Sequence, residues 1–381
     1  GRGVSSLYSS PSPEGGLADA AVRAAEAALA VAREHRFDLL EIESLCLLGA
    51  AAWAASDHSR AAAAAAAAIG AADARGWQDS WWTGTASAVL AHASLMRAAP
   101  ETALGVAADG LRTGAARDPV VEFALRCVHG AALVDLGDGS QGLLELQEAH
   151  SQFGETPVDV RVAVSAALLE HRASLLLGSP AAAATSMGRL TAREPAAGEL
   201  ALMRAWSEAA GGSFRTAHAA VLPLLDGSVS PTLQSTLVEA WLVEGWAALR
   251  SGDRAGARRA LRTALGLAEP LDLLRPFMLA GHGLRVLLVD QLSGGGNPDA
   301  FAFRCLAARR GVRRVAGPQL SAREQAVLAQ LVSLSSLGEI AEDMAVSINT
   351  VKSHVHGIYS KLGANTRRTA VLAALERGLI A

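Results

Sequence analysis

The chain has 381 residues, 51% of them apolar but only 4% aromatic, and a net charge of −3 at neutral pH. That length holds two or three domains with a sizeable core. The excess of Ala and Leu over Ile, Tyr and Phe argues against sheets and for helices packed through small side chains. Charge is uneven: residues 302–381 carry a net +6 and residues 1–301 a net −9, so only the tail suits a polyanion. Cys46, Cys127 and Cys305 are far apart, without metal-ligand spacing, and fit a reduced cytoplasmic compartment. No stretch has the pattern of a signal peptide or a membrane span, and the alanine run 61–68 is too short and too weakly apolar. A start of Gly-Arg-Gly without Met fits a piece of a longer protein.

In chain order, residues 1–15 are expected to be a disordered lead-in and residues 16–293 a helical-repeat domain. Its clearest unit is WLVEGWAALRSGDRAGARRALRTALGLAEP, 241–270. Small residues at Gly245, Ala257 and Ala264 let two helices approach, Gly252-Asp253 turns the chain, and Pro270 stops the second helix. A weaker signature recurs: a small residue, a short polar or Pro-containing turn, then Ala five positions on. It stands at Ser56/Ala61, Ala98/Ala103, Gly178/Ala183, Gly212/Ala217 and Gly252/Ala257, with a looser version near Gly137. Copies recur roughly every 40 residues, room for two helices each, so the body reads as about six or seven stacked hairpins in a solenoid. Residues 241–270 resemble a tetratricopeptide hairpin, with Trp241, Gly245, Gly252, Ala257, Ala264 and Pro270 near the motif positions. Gly294-Gly295-Gly296-Asn297-Pro298 marks a hinge, and 294–317 is expected to be hinge and basic connector. Its Arg309, Arg310, Arg313 and Arg314 are solvated charges or additional phosphate contacts.

From residue 318 to 381 the pattern is a helix-turn-helix. Ser321-Ala322-Arg323-Glu324 is a capping box opening a helix with Val327, Leu328, Leu331 and Val332 inward. A second box, Ser336-Leu337-Gly338-Glu339, opens a short helix carrying Ile340, Ala341 and Met344. After a turn at Ala345-Val346, Ser347 caps a third helix whose core side is Val351, Val355, Ile358, Tyr359 and Leu362. Its other side shows Asn349, Lys352, Ser353, His356 and Ser360, with no acid among them, as entry into a groove of phosphates and base-edge acceptors requires. Lys352 and Lys361 are the only lysines in the chain. Asn365-Thr366 caps a fourth helix that Gly378 ends.

Residues 320–371 resemble the LuxR-type four-helix DNA-binding domain of quorum sensors and many response regulators. The matched residues are Leu320, Arg323-Glu324, Val327-Leu328, Glu339-Ile340-Ala341, Ser347, Asn349-Thr350-Val351-Lys352, His354, Ile358-Tyr359, Lys361-Leu362-Gly363, Arg367 and Ala370-Val371. The resemblance implies double-stranded DNA as partner, a homodimer on DNA, and a DNA-binding set of Asn349, Thr350, Lys352, Ser353, His354, His356, Lys361 and Arg367. Within it, Lys352, Ser353 and His356 are base-facing, while Thr350, His354 and Lys361 touch phosphates or brace the helix. Val371, Ala374 and Leu375 of the fourth helix are the implied dimer contact. Departures from the family pattern are Leu334, Leu337-Gly338 and His356-Gly357; they predict weaker monomer binding and a slightly loosened recognition helix. A repeat body ahead of such a domain is also similar to the large ATP-binding regulators of the maltose-activator type. No GxxxxGK[ST] loop is present here, so an ATPase module is expected only upstream of residue 1.

Other residues read more plainly. Trp77, Trp81 and Trp82 fill hairpin junctions rather than box an effector. His129, His171, His218 and His282 stand singly, without the i+3 or i+4 partner of a metal pair. No nucleophile elbow, zinc signature or spaced carboxylate pair appears, so no enzyme activity, cofactor or metal site is expected in this chain. The sequence thus specifies an all-α protein: a tetratricopeptide-like hairpin solenoid followed by a four-helix LuxR-type domain. The expected function is a bacterial, cytoplasmic and nucleoid-associated transcription regulator binding a two-fold operator. An unknown small-molecule or protein effector acts on the body, and RNA polymerase is a further partner. The rival is a helical-repeat scaffold without DNA-binding activity.

Overall fold

The computed structural model describes residues 13–78, 80–113, 118–153, 158–191, 196–292, 300–311, 320–332, 336–362, 364, 366–367, 370–371 and 374. The chain divides into two compact units, Gly1–Arg313 and Arg314–Ala381. Among the described residues every regular element is a helix, as the composition predicts. No described helix is long and apolar enough to cross a membrane.

The first unit opens with α1 (Pro13–His35), which begins inside the segment expected to be disordered up to residue 15. Six pairs follow: α2 (Asp38–Ala54) with α3 (His58–Asp73), α4 (Trp81–Met96) with α5 (Pro100–Arg112), and α6 (Pro119–Leu136) with α7 (Gly139–Phe153). Then come α8 (Val160–Leu176) with α9 (Pro180–Thr191), α10 (Ala197–Ala210) with α11 (Phe214–Leu225), and α12 (Gln234–Ser251) with α13 (Arg254–Ala268). Each pair closes in the same way. The turn residue, Ser56, Ala98, Gly137, Gly178, Gly212 or Gly252, has positive φ. The next N–H then reaches back into the last turn of the first helix, as from Ser179 N to Ser174 O (2.8 Å) and Asp253 N to Ala248 O (2.9 Å). This left-handed cap satisfies carbonyls that a helix end leaves open and reverses the chain. Five positions on, Ala61, Ala103, Ala183, Ala217 and Ala257 are at most 1% exposed. The signature legible in the sequence is therefore one physical device: a left-handed turn, then a small residue at the helix contact.

At the looser copy, the residue five places after Gly137 is Gly142. A Cβ there would run into the carbonyl oxygen of Gly130, and a Cβ on Gly130 would lie 2.7 Å from the oxygen of Gly142. Both obstacles are backbone, which cannot rotate aside. Gly142→Ala is therefore expected to destabilise the unit by about 1–3 kcal/mol through overpacking, seen as a lower urea midpoint. Gly188→Ala in α9, where a Cβ meets nothing, serves as the control and is expected to hold or raise the midpoint.

After α13 the chain turns back into the array instead of continuing as a further hairpin. His58 N donates to Leu271 O (3.2 Å) and Leu274 N to Met96 O (3.0 Å). All four residues of α14 (Arg275–Met278) are buried. Arg275 forks onto Asp135 of α6, Nε to Oδ2 at 2.7 Å and Nη2 to Oδ1 at 3.0 Å. Asp272 accepts from Arg97 and Arg304. Two helices complete the unit, α15 (His282–Leu292) and α16 (Ala300–Gly311). The last of these corrects the expected connector. Phe301, Ala302 and Cys305 lie in the same core as Phe277, so this stretch is a helix of the body; 293–299 and 312–319 lie outside the described residues. The unit boundary also leaves Arg304, Arg309, Arg310 and Arg313 with the body, so residues 314–381 carry a net of only +2.

The second unit contains α17 (Ala322–Val332), α18 (Leu337–Asp343) and α19 (Ile348–Leu362). Both capping boxes form: Ser321 N donates to Glu324 Oε2 (2.6 Å) and Glu324 N to Ser321 Oγ (3.2 Å), with the same pair of distances between Ser336 and Glu339. Ala345 turns the chain at φ 52, and Val346 N returns to Ala341 O (3.0 Å). Val327, Leu328, Ile340, Val351 and Ile358 are fully buried together and give this unit its own core. The side chain of Val332 lies outside the described residues.

Candidate nucleic-acid interface

The helix α19 has two unlike sides. Val351, Val355, Ile358 and Leu362 seat it against α17 and α18. Asn349, Lys352, Ser353, His356 and Ser360 are exposed, and no acid occurs along the helix. Among the described residues, no hydrogen bond or ion pair engages the side chains of Asn349, Lys352, Ser353 or His356. Exposed donors on a helix held rigidly by its apolar side suit a groove of phosphate and base-edge acceptors. At its start, Ser347 Oγ accepts from Thr350 N (3.1 Å) and lies 2.8 Å from Thr350 Oγ1. That fixes half-buried Thr350 at the helix N-terminus, where backbone N–H groups favour an anion. His354 is half-buried beside it.

The remaining two members of the predicted set brace the domain. Lys361 Nζ donates to Glu324 Oε2 at 2.7 Å, joining the end of α19 to the start of α17. Arg367 Nε donates to Leu331 O at 3.0 Å, satisfying a carbonyl near the end of α17. Of the three predicted dimer residues, Ala374 is fully buried in the unit's own core and has no surface to offer a second copy. Val371 is half-buried and packs on the same core; Leu375 lies outside the described residues.

The family model described as "Bacterial regulatory proteins, luxR family" matches residues 318–374. Those residues form a luxR-family helix-turn-helix domain. Curated relatives match over the same region: the probable transcriptional regulatory protein NarL of Mycobacterium tuberculosis is 41% identical over 63 residues, 16% of this chain and 29% of that protein. The transcriptional regulatory protein YdfI of Bacillus subtilis is 42% identical over 62 residues, with the same shares covered. The chain thus spans less than a third of the length of these relatives. Among solved structures, a tetratricopeptide repeat protein from Parabacteroides merdae aligns with 71% of this chain and 99% of its own, at 12% identity and a TM-score of 0.39. So distant a likeness adds nothing to the hairpin geometry itself.

Two departures of the luxR-family domain acquire physical reasons. Leu337, in place of a polar residue, packs on the core. Gly357, expected to loosen the recognition helix slightly, also makes room for a carboxylate, since a Cβ there would lie 2.8 Å from Glu324 Oε1. Glu324 is thus the hub of the domain, capping α17, pairing with Lys361 and lying against Gly357. Sequence reading found its capping role alone, because the other contacts come from a helix more than thirty residues away. Leu334 lies outside the described residues.

Lys361, and then the Ser321 N–H, hold the Glu324 carboxyl below the usual glutamate value of 4.5. A carboxylate depressed by folding contributes stability above its unfolded pKa and loses that contribution as pH falls through the folded one. Glu324→Gln keeps the capping geometry but removes the charge, and is expected to cost residues 314–381 about 1–2 kcal/mol near neutrality. Thermal melts should show the gap between the two proteins constant down to about pH 4.5 and narrowing below it.

In the first unit, Trp82 packs on the core formed by α2, α3 and α4, whereas Trp77 is 40% exposed; the Trp81 side chain lies outside the described residues. His129 and His218 meet Glu145 and Glu244 of neighbouring helices at 2.7 and 2.5 Å. The Nδ1 and Nε2 of His171 lie 2.9 Å from Ala183 O and Met203 O, linking α8 to α9 and α10. The His282 side chain lies outside the described residues.

Proposed function

We propose that this protein is a transcription regulator that binds DNA sequence-specifically through α19, with the repeat body as its sensing and oligomerisation module. The observation that carries the reading is the exposed, acid-free face of Asn349, Lys352, Ser353 and His356 on a helix anchored in a luxR-family domain. Lys352 and His356 donate to base-edge acceptors such as guanine O6 and N7, while Thr350 and the N-terminus of α19 meet phosphate. Two copies bind a two-fold site with recognition helices about one DNA turn apart. The printed names of the relatives, both transcriptional regulatory proteins, support the same role.

Selection of sites from random duplexes by the full chain tests this. The expected result is an enriched two-fold sequence whose half-sites are about 10 base pairs apart. An enriched but asymmetric sequence removes the dimer and keeps the DNA reading; no enrichment, with salt-independent capture of a protein partner, favours a scaffold.

A further inference from the structure

The first helices of consecutive hairpins and the returning segment 271–280 enclose two adjoining cavities in the body. The larger, of about 180 Å3, is lined by apolar side chains such as Val89, Val121, Ala124 and Val128. The smaller, of about 40 Å3, is lined by Arg172, Trp206, Glu239, Arg275 and His58. Trp53, His92, Ser165 and Leu169 line both, so the two adjoin along a shared wall and set an apolar end beside a charged end.

Some polar groups at the charged end are satisfied. Asp135 engages Arg275 through two hydrogen bonds. Trp53 Nε1 donates to His92 Nδ1 (3.1 Å), and His92 Nε2 lies 3.0 Å from Ser165 Oγ; burial lowers its pKa to about 3, so the ring is neutral. Others lack partners. His58 is 3% exposed and, among the described residues, neither of its ring nitrogens has one. Arg172 lies over the Trp206 ring at 5.0 Å, makes a single long hydrogen bond to Leu279 O at 3.5 Å, and keeps its buried Nε unpaired. Among the described residues no carboxylate forms an ion pair with it, and Glu239, which also lines the cavity, makes no hydrogen bond.

The charges decide what fits. The Arg275–Asp135 pair cancels, both histidines are neutral, and burial raises the Glu239 carboxyl against the pull of Arg172 and Arg275. Arg172 is half-buried, its enclosed Nε is unpaired, and among the described residues no carboxylate hydrogen-bonds to its fork; an anion there would satisfy it. A guanidinium presents a planar fork matched to a carboxylate, and the neighbouring end is lined mostly by Val, Ala and Leu side chains that suit a tail. We propose that this space binds a small carboxylate with an apolar tail, the carboxylate on Arg172 and His58 and the tail among Val89, Ala124 and Val128. Because Arg275 and Pro276 of the returning segment form part of the wall, occupancy fastens that segment to the hairpins. This regulatory meaning rests on the sensing role proposed above for the body; the binding itself does not.

The test is titration of the full chain, without DNA, with octanoate, 1-octanol and octylammonium, followed by tryptophan fluorescence and calorimetry. Octanoate is expected to bind at least tenfold more tightly than either analogue. Arg172→Met should weaken octanoate tenfold or more while leaving 1-octanol within twofold, and Ala124→Trp should weaken both by filling the apolar end. Equal affinity for octanoate and 1-octanol, preference for octylammonium, or no binding of octanoate overturns the proposal. The comparison of the three probes on the unaltered protein decides it even where a variant fails to fold. Failure here leaves site selection on DNA unaffected, so the two readings fall separately.

Discussion

Arg275→Ala is expected to destabilise the repeat unit by about 3–5 kcal/mol, an outsized loss for one side chain. Arg275 and Asp135 are 7% and 0% exposed in their side chains and stand 140 positions apart. The pair therefore ties the returning segment to α6. Removing the guanidinium strands a buried carboxylate without its hydrogen-bonded partner, and that penalty exceeds the net worth of the intact pair. Asp135→Ala should cost a similar amount by stranding the cation. The double variant Asp135→Leu with Arg275→Met, which replaces both charges by apolar volume, should recover most of the loss. Urea denaturation of the four proteins measures this. Single variants within about 1 kcal/mol of the parent would show that water reaches the pair and that the segment is not fastened there.

That pair also marks where sequence reading stopped. Local devices were legible because each is written in neighbouring residues: the left-handed turns at Gly178, Gly212 and Gly252, the capping boxes at Ser321 and Ser336, and the inward face of α19 all follow from spacing alone. The return of 271–280 was not, because Asp272, Arg275 and Leu274 find their partners in α4, α6 and α16, and nothing local announces such distant contacts. A sign of it was present in LDLLRPFMLA, too apolar for a loop and interrupted by Pro276. The helix within the expected connector is hidden for a related reason. Its arginines suggested a solvated linker, while Phe301, Ala302, Cys305 and Leu306 recur with the spacing of a buried helix face. In the helix-turn-helix unit the exposed set was legible and Lys361 stood open to phosphate contact or bracing, but the partners of Lys361 and Arg367 were not legible. Lys361 and Arg367 resemble contacts until Glu324 and Leu331 O are seen to accept from them.

The division between exposed and bracing residues gives the second large expected effect. Lys352→Ala should weaken specific DNA binding by about 1–3 kcal/mol, roughly 5- to 150-fold in Kd, without moving the melting temperature, because Lys352 is exposed and has no partner among the described residues. Lys361→Met should do the reverse: it breaks the 2.7 Å contact with Glu324, lowers the melting temperature of residues 314–381, and affects DNA chiefly through the fraction folded. Salt separates the possible contacts of Lys352. With a net of only +2 on this unit, affinity depends on a few local charges rather than on a diffuse basic field. If Lys352 reads a base, its loss relaxes sequence preference at one position of each half-site; if it meets phosphate, all sequences weaken alike and the log Kd against log salt slope falls by about one per subunit. Filter binding of cognate and scrambled duplexes across a salt series distinguishes the two. Unchanged affinity and slope for Lys352→Ala would remove α19 from the DNA interface altogether.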